Sequence, residues 1–387
     1  MSSGQARHDE AEHSRGPGAT GKKSATAEAP KTVVSAPGKL ILMGDHAAVY
    51  NRPALVATVD LRLQATFSPR ADGGLHIELP QLALTQEVTW PELMRHCRST
   101  RDRWNAYVHE PTPERFAVVR GSDPAHAVKI ALGEAALFLG EEQGPGLSVR
   151  VDSELPVGAG FGSSAAMAVA LSGGYLVHRG LDLDINRVGR IALDVERRQH
   201  GFPSGVDHTT ILLGGIVWAQ REALHTVAAE RIQAASPVLG KIRIYNTGCP
   251  AETTGTVVAA VRQRATENPE LMENTLERMR EDVVALREEL ERRAENSETM
   301  LELIRDYEAC LETIGVVPRP VQELIREIER RGGAAKVSGA GALTGAAAGS
   351  MIVYHPDPAE VDAWGFLSAC QRYEVSIGAD GLRKETR

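Results

Sequence analysis

The stretch ELPVGAGFGSSAAMAVALSGG, residues 154–174, places Gly158, Gly160 and Gly162 between Pro156 and a long apolar run. Ser163, Ser164 and Ala165 follow at once. Glycine lets a main chain come close to an anion and take dihedrals closed to other residues. A helix opening at Ser163 would point its first amides, and the positive end of its dipole, at the same place. The two serine hydroxyls could reach a phosphate or a bound Mg2+. The chemistry that fits is a cradle for the phosphates of a nucleotide. The stretch lacks the GK[ST] ending of a Walker A loop, and its spacing does not match GxGxxG. A strand–helix turn that merely packs tightly would use the same residues.

Two carboxylates stand eleven residues apart, Glu196 and Asp207. On a helix turning 100° per residue, Glu196 falls about 20° from Ile185, at the edge of an apolar stripe. A carboxylate there is partly desolvated and calls for a cation. Mg2+ takes one or two carboxylates together with phosphate oxygens and water. Asp207 closes the run Pro203, Ser204, Gly205, Val206, a tight turn entering a short apolar element. It could orient or deprotonate a hydroxyl nucleophile. Singly, Glu196 could equally pair with Arg190 or Arg197, and Asp207 could equally cap a helix. Near the start of the ordered chain, SAPGK and GDH put Lys39, Asp45 and His46 beside a turn.

The elements that must position these groups are legible in outline. Residues 33–43 read as a short strand, a turn and a second apolar stretch. In residues 54–67 apolar and polar positions alternate, and with residues 74–79 they read as antiparallel strands. Residues 124–139 read as an apolar helix with Ser122 and Asp123 as cap candidates. Residues 146–152 form a half-buried strand leading into the glycine stretch, and residues 163–177 a helix apolar on all sides. A second helix covers residues 184–199, followed by a loop, a short element and the strand IVWA. Residues 241–247 are a further strand, residues 252–330 are mostly helical, and strands at 335–338 and 350–354 flank a second glycine-rich region. The charged run 274–293 reads as a solvated helix face.

Composition limits the partners. The 387 residues carry 43 Lys and Arg against 51 Asp and Glu, a net charge of −8. That balance argues against nucleic acid and anionic membranes, which need a basic face. No apolar stretch approaches the ~20 residues of a membrane helix. Cys97, Cys249, Cys310 and Cys370 show neither CxxC nor Cys/His ligand spacing. They read as free thiols in a reducing cytoplasm. Residues 1–31 are poor in large apolar side chains and read as a disordered tail.

Taken together, SAPGKLILMGDHAAVYNRPALVATVD, PVGAGFGSSAA and KVSGAGALTGAAAG resemble the three ordered motifs of the GHMP kinases. ERRQHGFPSGVDHTTILLGG is similar to the pattern E-x-x-x-HG-x-PSG-x-D of the mevalonate kinase branch. The resemblance implies an α+β GHMP kinase fold: an N-terminal ribosomal protein S5 domain 2-like α/β domain (32–225) and a C-terminal ferredoxin-like α+β domain (226–387), with the site between them. It implies ATP and Mg2+ as cofactors, mevalonate as the small-molecule substrate, transfer to its 5-hydroxyl, and a homodimer. A phosphomevalonate kinase, another GHMP kinase or a non-catalytic ligand sensor are the alternatives.

Carried onto this chain, Pro156, Gly158, Gly160, Gly162, Ser163, Ser164 and Ala165 match the nucleotide loop. Ser164 and Glu196 match the metal ligands, and Asp207 and Lys39 the catalytic pair. Asp45, His46, Thr253, Gly339 and Ala340 fall on the substrate side. Three positions depart from the family pattern. Asp45 replaces the usual Glu, Ala342-Leu343-Thr344 interrupts the third glycine run, and Thr254 replaces the usual Arg.

Overall fold

The computed structural model describes residues 31–156, 158–223 and 226–386, so the tail expected at 1–31 lies outside the described residues except for Lys31. Two sheets organise the chain. The larger has eight strands in the order β12-β1-β2-β5-β3-β4, with β6 on the first half of β2 and β7 on β6. Its members are β1 (Thr32–Met43), β2 (Ala54–Arg70), β3 (Leu75–Leu79), β4 (Leu84–Val88), β5 (Gly146–Ser153), β6 (Ile216–Ala223), β7 (Thr226–Ile232) and β12 (Arg383–Lys384). The smaller is antiparallel, in the order β11-β8-β10-β9, from β8 (Ile242–Asn246), β9 (Ala334–Ser338), β10 (Ser350–Tyr354) and β11 (Gln371–Tyr373).

β1 is one strand, where a strand, a turn and a second stretch were expected. Pro37 and Gly38 shift the register against β2 by a bulge and leave the chain extended. Nearly every residue of β1 is buried, as befits a strand covered on both faces. A second departure concerns residues 54–67 and 74–79, which do not pair with each other. β5 lies between them, antiparallel to β2 from Leu63 to Arg70 and parallel to β3. β6 and β7 pair antiparallel from either side of the sequence-based division, and β12 returns from the far end of the chain to β1, so the first sheet draws on both parts.

The helices follow from local signals in most places. A capping box of Thr89 and Glu92 opens α1 (Trp90–His109), and Thr112 caps α2 (Pro113–Arg120). α3 (His126–Phe138) begins later than expected. Ala125 occupies its cap position, while Asp123 accepts from the Ala125 amide at 2.8 Å and pairs with Lys129 at 2.6 Å. α4 (Ser163–His178) is the central helix. A Cβ on Gly174 would sit 2.2 Å from the Phe67 ring, so α4 lies on β2 at a distance only glycine permits. Asp184 caps α5 (Ile185–His200), accepting from Asn186 and Arg187 amides. Gly205, at φ 82°, opens α6 (Val206–Leu213).

Around the second sheet run α7 (Thr254–Glu267), α8 (Pro269–Glu291), α9 (Ser297–Thr313), α10 (Arg319–Arg330) and α11 (Pro358–Ala363). The charged stretch of α8 does present an apolar stripe inward, including Met272, Leu276, Met279, Val283, Leu286 and Leu290. No described helix is long and apolar enough to cross a membrane.

Candidate active site

The glycines expected to cradle a nucleotide are all left-handed, with φ of 75° at Gly158, 82° at Gly160 and 70° at Gly162. Gly162 is the cap residue of α4 and offers no side chain to its first amides, and the first turn holds no acidic residue. The positive end of a 16-residue helix is therefore left for an external anion. β1 runs beneath this loop. The Lys39 amide donates to the Phe161 carbonyl at 2.9 Å, and a Cβ on Gly162 would lie 2.8 Å from Lys39 Cγ.

Lys39 is 4% exposed, and its Nζ lies 3.3 Å from Asp207 Oδ2. Asp207 sits in the first turn of α6, with its side chain about a third exposed. The pair thus has one desolvated member and one that is partly exposed to solvent. Gly162→Ala tests how tightly the loop holds this lysine. The added methyl meets a left-handed backbone and displaces Lys39, so kcat should fall by roughly 10–100-fold in steady-state assays. Unchanged kcat would mean that the lysine position is unimportant.

Ser164 Oγ donates to Glu196 Oε1 at 3.3 Å and lies 2.8 Å from His200 Nε2. Glu196 is 3% exposed. Burial pushes its carboxyl up to about 8, and the negative charge of Asp207 adds to the rise, against the Ser164 hydrogen bond and the charge of Lys39. A buried carboxylate short of positive charge, beside a hydroxyl and a helix N-terminus, is a hard-oxygen donor pair suited to Mg2+ carried by phosphates. Among the described residues, no group of three or more His, Cys, Asp or Glu side chains forms a cage of its own.

The residues expected on the substrate side divide. His46 has a left-handed backbone, φ 58°, and its Nε2 lies 2.9 Å from the Ala340 carbonyl. A carbonyl only accepts, so Nε2 carries the proton and Nδ1 is the acceptor. Burial lowers the imidazole pKa despite the Ala340 carbonyl and Asp45, which favours this neutral form. Asp45, expected to face substrate, turns inward. Its Oδ2 lies 2.7 Å from Lys336 Nζ, with both side chains fully buried, and its Oδ1 accepts from the Gly339 amide at 2.6 Å.

Tyr307 OH donates to the Asp45 carbonyl and accepts from the Gly44 amide, each at 2.9 Å, completing the clamp on this turn. Nearby Glu308, whose carboxyl is raised by burial, accepts from the Val337 amide at 2.9 Å, and Asp45 is the carboxylate in direct contact with Lys336. Thr253 is exposed and caps α7, its Oγ1 accepting from the Thr256 amide at 3.3 Å.

The two glycine-rich regions touch. A Cβ on Gly160 would stand 3.1 Å from the Ser338 carbonyl, and Ser350 Oγ donates to the Ala159 carbonyl. Lys39, the loop 158–164, Glu196, Asp207 and the His46–Ala340 contact are thereby joined in a continuous chain of contacts. Three residues of the surroundings were given no role from sequence, although His200 stands in the E-x-x-x-HG pattern: His200, Lys336 and Glu252. His200 stands four residues after Glu196 on the same helical face. Lys336 is an isolated lysine in an apolar strand, which called for a buried partner. Glu252 carried no signal.

Comparisons with known proteins place the chain among the GHMP kinases. Residues 127–215 match the family model described as the GHMP kinases N terminal domain. The mevalonate kinase of Pyrococcus abyssi is 31% identical over 314 residues, covering 80% of this chain and 85% of that protein. The human mevalonate kinase is 30% identical over 387 residues, covering 90% and 94%. The crystal structure of the Methanococcus jannaschii mevalonate kinase superposes with a TM-score of 0.69 over 94% of this chain and 100% of that one, at 17% identity, a likeness of fold.

Proposed function

Because the chain belongs to the mevalonate kinase family of the GHMP kinases, we propose that the Lys39–Asp207 pair and the glycine loop beside it carry out ATP-dependent phosphorylation of mevalonate. The chain is a kinase that makes 5-phosphomevalonate and ADP from mevalonate and ATP. The observation that supports this reading best is the 3.3 Å contact between Lys39 and Asp207, directly under the loop that opens α4.

The phosphates of ATP rest on the main chain of residues 158–162 and the first amides of α4. A divalent ion arriving with them would be held by Ser164 and Glu196 and would supply charge neutralisation on the phosphates. Phosphoryl transfer asks little covalent chemistry of the protein and is governed by positioning and electrostatics. Asp207 accepts a hydrogen bond from the primary alcohol, aligns its oxygen with the terminal phosphorus and takes the proton as the new O–P bond forms. The bond to the β-phosphate oxygen breaks, and ADP leaves. Lys39 orients the carboxylate and balances its charge. Its burial restricts the number of positions that the ammonium can take. His46 and the main chain at Gly339 and Ala340 border the alcohol side, while the inward-facing Asp45 acts by holding that border in place.

Cys97, Cys249, Cys310 and Cys370 are free thiols, which supports a reducing cytoplasmic setting for the enzyme, in the synthesis of isoprenoid precursors.

A coupled ADP-release assay with mevalonate, phosphomevalonate, galactose and homoserine tests the substrate, and mass spectrometry of the product locates the phosphate. Turnover with mevalonate and a phosphate on its 5-oxygen are the expected results. A higher kcat/KM for phosphomevalonate would overturn the assignment.

A further inference from the structure

The interrupted third glycine region is anchored by several unrelated parts of the chain. At its start, the Gly339 amide donates to Asp45 and the Ala340 carbonyl accepts from His46. The Ala342 amide then donates to the Val316 carbonyl at 2.9 Å. At its end, the Ala348 amide donates to Thr247 Oγ1 at 2.8 Å, and Thr247 Oγ1 donates to the Gly349 carbonyl at 2.9 Å. Between these anchors, residues 343–347 form a tip, exposed at Thr344, Gly345 and Ala346. Glu252 grips that tip with both oxygens. Leu343 N–H donates to Oε2 at 3.1 Å, and Thr344 Oγ1 donates to Oε1 at 2.5 Å. Both donors belong to the residues that replace glycines of the family run. The same bonds, with Thr344 first, hold the Glu252 carboxyl below its ordinary range.

Glu252 lies on the segment joining β8 to α7, which also borders the phosphate loop: a Cβ on Gly158 would be 4.0 Å from Cys249 Sγ. A carboxylate bonded to one amide and one hydroxyl defines both position and rotation of the tip, a constraint that a glycine run would not supply. We infer that Glu252 is a positioning residue, latching the tip through Leu343 and Thr344 so that the Gly339–Ala340 edge is set for the alcohol substrate. The inference rests on mevalonate being that alcohol. Glu252 itself touches no reacting atom. Its contribution is to KM for the alcohol, because the loop it orders borders the His46 side of the site.

The test compares Glu252→Ala, Thr344→Val and the double variant. Each single variant should raise KM for mevalonate by about five- to tenfold with kcat and KM for ATP changed less than about twofold. The double variant should be no worse than Glu252→Ala, since the two groups act through one contact. Glu252→Gln, which keeps one acceptor oxygen, should recover part of the loss. Hydrogen exchange at residues 339–350 reads the latch without turnover, and the Leu343 amide should exchange faster in Glu252→Ala. Unchanged KM for mevalonate, an equal rise in KM for ATP, or additive effects in the double variant would overturn the proposal, as would unaltered exchange. A wild-type enzyme without activity on mevalonate would instead overturn the substrate reading, and the exchange result would still decide whether the latch exists.

Discussion

Asp207→Asn should lower kcat for mevalonate phosphorylation by about 10²–10⁴-fold while leaving nucleotide affinity within a few-fold. Asparagine keeps the shape of the side chain but cannot take the proton of the alcohol. It also removes the negative charge 3.3 Å from Lys39, whose side chain is almost fully buried. Both changes act at the reacting oxygen. In the proposed arrangement the nucleotide's contacts, by contrast, fall on the glycine loop and on Ser164 and Glu196, which the substitution leaves in place. Steady-state kinetics and calorimetric titration with a non-hydrolysable ATP analogue separate the two effects. Near-normal turnover would remove Asp207 from the proton-transfer role. A parallel collapse of nucleotide affinity would show that the variant disturbs the cradle rather than the chemistry.

The second large effect is on stability. Lys336→Met should destabilise the protein by roughly 3–5 kcal/mol, the range for removing one member of a buried ion pair. Lys336 and Asp45 both have fully buried side chains, 2.7 Å apart. Methionine would leave the Asp45 carboxylate with the Gly339 amide as its remaining short contact and no cation. Asp45→Asn should cost a similar amount, because it strands the lysine ammonium beside the Tyr307 ring and the Ile41 carbonyl. The Asp45→Asn/Lys336→Met double variant should recover much of the loss, since neither charge then remains unpaired. The midpoint of urea unfolding is the measurement. Additive losses in the double variant, or a Lys336→Met protein as stable as wild type, would refute the pairing as a stabilising contact. The same pair ties the Gly44–His46 turn of the first sheet to the edge of the second, so the single variants should also raise KM for the alcohol.

Sequence by itself determined the features that depend on neighbours along the chain. The glycine loop, the all-round apolar helix behind it, the helix opening at Asp184 and the alternation in residues 54–67 each follow from local dihedral preference or from side-chain period. The candidate pair Lys39 and Asp207, and the pair Ser164 and Glu196, were legible because several motifs occur in one order. Each pair is in contact in the structure. Tertiary structure alone decided the rest, because those choices lie between partners far apart in the chain. β5 takes the edge of β2 that β3 would otherwise have occupied. Asp45 turns to a lysine 291 residues away, so a carboxylate with the spacing of a substrate ligand serves instead as a buried brace. Glu252 meets Thr344 across 92 residues. Which of several possible partners a charged side chain takes is set by burial and packing in the folded molecule, and no local pattern carries that information.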